Sequence, residues 1–148
     1  ASPELTGAEL KELLRHMPMP CLVTVYGRTQ LMLLHHCPAR TALGLRTGHR
    51  DCALCDREDE NCLKGQALTD RMGYRFPLLR QRLPEGCLVR LMNALPTDNL
   101  DQRLEGAVRV IELTEESQEE ALAILERMKV FRRTEGATTR GHWNRPIE

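Results

Sequence analysis

Aromatic side chains are scarce in this chain: one Trp, two Tyr and two Phe make up 3% of 148 residues. A core built on stacked rings is therefore excluded, and burial falls to Leu, Val, Ile, Met and Ala within the 41% hydrophobic share. That share still argues against disorder along the whole length. Serine is scarcer, with only Ser2 at the start and Ser117 in a helix-cap setting. Neither a G-x-S-x-G elbow nor an H-E-x-x-H helix occurs, so a serine hydrolase or a zinc protease has no local support. A glycine-rich phosphate loop is also missing. Net charge is zero, with 21 basic and 21 acidic residues, so nothing global points to nucleic acid or a membrane surface. No apolar run reaches the ~20 residues a membrane span needs. The first residues are charged and proline-rich rather than a signal h-region. The expectation is a cytoplasmic protein without a membrane partner.

Against these absences stand six cysteines. In a chain with no export signal, thiols are ligands or free groups rather than a disulfide framework.

Along the chain, Thr6 and Glu9 form a capping-box pattern before an amphipathic stretch from Ala8 to His16, which Pro18 and Pro20 end. The runs CLVTVY (21–26) and QLMLLH (30–35), joined through Gly27 and Arg28, predict a β-hairpin. Periodicity then disappears from Cys37 to Asp70. Irregular segments of that length inside a compact domain are usually functional. GYRFPLL (73–79) and CLVRLM (87–92) read as strands, with Pro77 placing the first at an edge or bulge. Asp98 predicts a cap for a helix over Leu100–Leu104, stopped by Gly106. AVRVIEL (107–113) reads as a strand. A final helix, started by Thr114 or Ser117, carries Ala121, Leu122, Ile124, Leu125 and Met128 at helical spacing. This order predicts an α/β fold with a parallel sheet. The organisation expected is a single domain or fragment. It comprises a helix plus hairpin (1–36), a cysteine-rich segment (37–70), α/β strands and helices (71–131) and a basic tail (132–148).

The cysteines carry the chemistry. Cys52 and Cys55 are separated by two residues, which lets both sulfurs reach one ion from a single turn. Cys37 follows a strand and Cys87 opens another. A close pair with two distant cysteines closes a tetrahedral thiolate cage around zinc, and the same four sulfurs suit an iron–sulfur cluster. Metal binding would also order a segment poor in apolar residues. Cys37, Cys52, Cys55 and Cys87 are the expected ligands, with free thiols as the alternative. Cys62 and His49 are rival ligands, His35 and His36 are expected to be structural, and Cys21 is expected to be a small core residue. The tail holds Arg140, His142 and Arg145 around Trp143, a set able to grip phosphate or stack on a base. The competing view is a strap that packs back on the domain.

The motifs "VYGRTQLMLLHHCP", "C-x-x-C", "LTDRMGYRFPL", "LMNALPTD", "VRVIELTEESQEEA" and "TTRGHWNR" follow one another from Ser2 to Arg145. In this order they resemble the C-terminal half of the collagenase-like peptidase family, peptidase family U thirty-two. The resemblance implies late strand–helix units of a (β/α) barrel-like protein plus an irregular cysteine-rich metal-binding segment, working with the rest of the parent barrel. Members were classified as peptidases, and several act in oxygen-independent hydroxylation of RNA bases or quinone precursors with a 4Fe–4S cluster on four cysteines. On that pattern the ligand positions fall on Gln30, Cys37, Cys52 and Cys87. Gln30 departs from it, and Cys55 supplies a sulfur beside Cys52 in its place. The departure keeps zinc in competition with a 4Fe–4S cluster. No peptidase nucleophile is implied for this chain. Two further functions follow, either a peptidase-class enzyme or a zinc-stabilised structural or RNA-binding module.

Overall fold

A computed structural model describes residues 1–45, 66–83 and 86–145. The protein is a mixed α/β chain that divides into two compact units. The first combines Ala1–Thr29 with Leu95–Glu148, and the second is Gln30–Ala94.

The first unit opens with helix α1 (Gly7–His16). Thr6 caps it: its side chain accepts from the Glu9 N–H, and the Glu9 carboxylate accepts from the Thr6 N–H at 2.8 Å. Strand β1 (Cys21–Gly27) follows, and later come β6 (Thr97–Asp98), β7 (Ala107–Ile111) and helix α3 (Gln118–Lys129). Ser117 and Glu120 repeat the capping box on α3. The sheet order is β6-β1-β7, with β7 parallel to β1 and β6 antiparallel to it. A parallel neighbour requires a crossover, which here spans the whole second unit. Val23 and Val25 alternate inward on β1 and pack with Leu10, Tyr26, Leu100, Leu104 and Ile124. As the composition demands, this core is aliphatic with a single ring.

The helix expected over Leu100–Leu104 is not there. The stretch is a series of turns, although both leucines are buried in the core. Asp98 does accept from the Leu100 N–H at 3.1 Å, and the Gln102 N–H returns to the Asn99 carbonyl. The cap chemistry was legible, but only a turn grew from it, because five residues that anchor two side chains in a core gain more from burial than from one helical turn.

The second unit contains β2 (Gln30–Leu34), α2 (Pro38–Ala42), β3 (Ala67–Thr69), β4 (Arg75–Leu83) and β5 (Gly86–Met92), in an antiparallel sheet of order β2-β5-β4-β3. This corrects the predicted hairpin. β1 and β2 are adjacent in sequence but belong to different sheets, since β1 pairs with β6 and β7 and β2 pairs with β5. A hairpin would have used the Gly27–Arg28 turn. Instead Gly27, at φ 146°, lies where an added Cβ would come within 2.8 Å of Glu112, so the glycine serves a close backbone approach. Pro77 keeps its edge character inside β4. Residues 75–77 pair with β3 and residues 78–83 pair with β5, so the missing N–H falls where the ladder changes partner. No helix among the described residues is long and apolar enough to cross a membrane.

Candidate functional site

In the second unit, the β2-β5-β4 sheet buries a small cluster of Cys37, Leu78 and Val89, flanked by Leu34, Ala39 and Leu91. Cys37 is 7% exposed and stands at the start of α2, where Pro38 occupies the first helical position and the Cys37 carbonyl accepts from the Thr41 N–H. Cys87 is half-buried on β5. Alternation along the strand puts Cys87, Val89 and Leu91 on one face, so Cys87 stands roughly 7 Å along β5 from the residue that Cys37 packs on. Cys37 belongs to the buried cluster, and Cys87 lies outside it on β5. Cys52 and Cys55 lie outside the described residues, as do the rival ligands Cys62 and His49. Among the described residues no group of three or more ligating side chains comes together. His35 and His36 are exposed. Cys21, expected to be a small core residue, is partly buried and packs against the core of the first unit.

The tail residues have separate fates. Arg140 makes a two-pronged contact with Asp101 at 2.6 and 2.8 Å, and a further contact with the Asn99 carbonyl oxygen of the side-chain amide at 3.4 Å. The guanidinium holds the Asp101 carboxyl below the usual carboxylate range, chiefly through that hydrogen bond. His142 and Arg145 are exposed. The backbone around them is strapped to the first unit: the Asp98 N–H donates to the Thr139 carbonyl, the Thr139 N–H to Pro96, and the Gly7 N–H to Trp143. Trp143 packs against the core beside Gly7.

A feature that the sequence did not announce lies beyond the carboxyl ends of the parallel strands β1 and β7. There a cavity of about 520 Å³ is lined by Tyr26, Arg28, Glu115, Glu116, residues of α3, and the 134–138 loop. Ligands in open α/β sheets bind at such strand ends. The Tyr26 hydroxyl donates to Glu116 at 3.3 Å, and the Glu116 carboxylate also accepts from the Thr114 and Glu115 N–H groups. Burial, reinforced by the Glu116 charge, pushes the Tyr26 hydroxyl up to about 12. The phenol is therefore a neutral donor throughout the physiological range.

The linkage has a definite sign. Because the folded value exceeds the unfolded one, this stabilisation is complete below pH ~10 and is lost as pH rises toward ~12. Spectrophotometric titration should show a tyrosinate step near pH ~12 that disappears in Tyr26→Phe. An unchanged titration curve would refute the assignment. The sequence signals for this site are Tyr26 at the end of one strand and the Glu115-Glu116 pair after another. Only the parallel register joins them.

The chain matches none of the family models, curated proteins or solved structures with which it was compared.

Proposed function

We propose that this chain is the metal-binding part of a protein of peptidase family U thirty-two, the collagenase-like peptidases, with Cys37, Cys52, Cys55 and Cys87 as its ligands. The observation that carries the proposal is Cys37, buried beside Val89 of β5, the strand that also carries Cys87 two residues earlier. The remaining ligands come from the C-x-x-C pair. On this reading the first unit is a late strand–helix portion of a (β/α) barrel-like cytoplasmic protein, and the second carries the cysteine-rich segment. The parallel β1–β7 pair with α3 beside it supports the first part.

When bound, a 4Fe–4S cluster would supply electron transfer for hydroxylation of RNA or a small molecule, whereas zinc would only order the segment. The chain's own residues hold the metal and keep its sulfurs away from water on the buried side. Contact with an anionic substrate or RNA falls to His142 and Arg145, because Arg140 is committed to Asp101. No residue here is assigned a peptidase nucleophile.

The test is metal analysis after anaerobic purification. A brown sample with iron and sulfide identifies a cluster, and a colourless one with stoichiometric zinc identifies a zinc site. Cys37→Ala and Cys87→Ala, which preserve aliphatic burial, should each strip most of the metal. A preparation free of both metals, or metal content untouched by either substitution, would sink the proposal.

A further inference from the structure

The first unit holds a second cavity, between helix α1 and the turn that precedes β7. Its volume is about 420 Å³, within the range of small-molecule sites. Leu14 and Leu104 line its apolar part, and Gly106, at φ 79°, brings the turn up to the Leu14 carbonyl. The charged lining is one-sided. Lys11, Arg15 and Arg103 stand against a single carboxylate, Glu105, in a chain whose overall charge is zero.

Lys11 and Arg103 join no ion pair among the described residues. Each has an aromatic ring for a partner instead. The Lys11 ammonium lies 5.8 Å from the centre of the Trp143 ring, and the Arg103 guanidinium lies 4.9 Å from that of Phe131. Such contacts position a cation without neutralising it. The rings are themselves held. Trp143 packs on the core, and Phe131 also stacks with Arg109, which donates to the Leu100 and Met128 carbonyls. Arg15 is the weakest of the three cations, since it pairs with Glu12 at the carbonyl end of α1. That pair is exposed, so exchanging it for a ligand contact costs little.

Three cations against one carboxylate leave a surplus of two positive charges. A ligand carboxylate would balance one of them. A phosphate monoester carries close to two charges at neutral pH and has three oxygens to share among separate cations. A phosphodiester strand carries one charge per link and calls for a track of cations, whereas these surround one cavity.

We propose that this cavity binds the phosphate group of a small phosphomonoester, held chiefly by Lys11 and Arg103, with the ligand's carbon skeleton over Leu14 and Leu104. The site uses neither the cysteines nor His142 and Arg145, and every residue it does use belongs to the first unit, so it is independent of the metal centre.

The experiment is a two-dimensional amide NMR titration of the 148-residue chain at neutral pH and low salt, with glycerol phosphate, glycerol, dimethyl phosphate and hexauridylate as probes. Glycerol phosphate should shift the resonances of Leu14, Leu104, Glu105 and Gly106 saturably, and glycerol should not. Each diester should bind about tenfold more weakly than the monoester. Lys11→Gln and Arg103→Gln should each weaken glycerol phosphate binding by about tenfold. Gln matches the helix propensity of Lys at position 11, and the circular dichroism of both variants should stay native. Arg132→Gln removes an exposed cation that does not line the cavity, and it should leave binding unchanged. Four results would overturn the proposal: no shift with glycerol phosphate, tighter binding of hexauridylate than of the monoester, binding that survives both Lys11→Gln and Arg103→Gln, or an equal loss in Arg132→Gln, which would mark diffuse surface charge in place of a site.

Discussion

Replacing Asp98 by Ala is expected to destabilise the first unit by about 3–5 kcal/mol, among the largest effects any single exposed-to-solvent-free position here should give. Asp98 is 0% exposed. Its two carboxylate oxygens accept from three donors: the Leu100 N–H at 3.1 Å, and the Thr134 N–H and hydroxyl at 2.7 Å each. Arg133 stands 4.0 Å away and is partly exposed, so it can rehydrate when the carboxylate goes. The three donors are less free to do so, and each buried donor left unmade costs about 1–3 kcal/mol.

Asp98→Asn should cost about half as much. Its single oxygen can serve the two Thr134 donors, but its amide then faces the Leu100 N–H. Urea unfolding followed through Trp143, the one tryptophan, gives the measurement. A loss below about 1 kcal/mol for Asp98→Ala would show that water replaces the carboxylate and that the network is not structural.

The fate of Asp98 shows what sequence could and could not deliver. Local signals survived. The Thr6/Glu9 capping box appears where the spacing put it, and of the two starts offered for the last helix Ser117 is the cap, because the bonds involved span three residues and need no tertiary partner. The strands at 86–92 and 107–111 also lie where β-branched and aliphatic runs predicted them, whereas the parallel sheet expected from strand–helix order is confined to the β1–β7 pair, the other pairings being antiparallel. Partnership over distance was not legible. Asp98 was recognised as a local cap, but its stronger bonds go to Thr134, and nothing at position 98 names a partner in the tail. The 21–26 and 30–35 runs looked like a hairpin because sequence shows proximity and not sheet membership. Whether β1 prefers β2 or β7 depends on which pairing buries Val23 and Val25 against two helices. The cavity escaped for the same reason, since Tyr26 and Glu116 are 90 positions apart.

The junction of α1 and the tail yields a prediction whose sign runs against helix propensity. Ala in place of Gly within a helix ordinarily stabilises by about 1 kcal/mol. At Gly7 the added Cβ would lie 2.4–2.8 Å from three atoms of the Trp143 ring. The ring cannot simply slide away, because the Trp143 carbonyl accepts the Gly7 N–H at 2.9 Å and the indole packs on the core, with Lys11 over its face at 5.8 Å. Overpacking of this kind costs about 1–3 kcal/mol. Gly7→Ala is therefore expected to lower thermal stability despite its better propensity.

A double-mutant cycle separates the two effects. Trp143→Ala alone should also destabilise, by loss of packing. In that background the clash is gone, so Gly7→Ala should turn neutral or stabilising, read by circular dichroism because the indole probe is absent. A coupling of about 1 kcal/mol or more would establish that the tail is part of the first unit's packing. If Gly7→Ala instead has the same effect with and without the indole, the strap is not seated on α1.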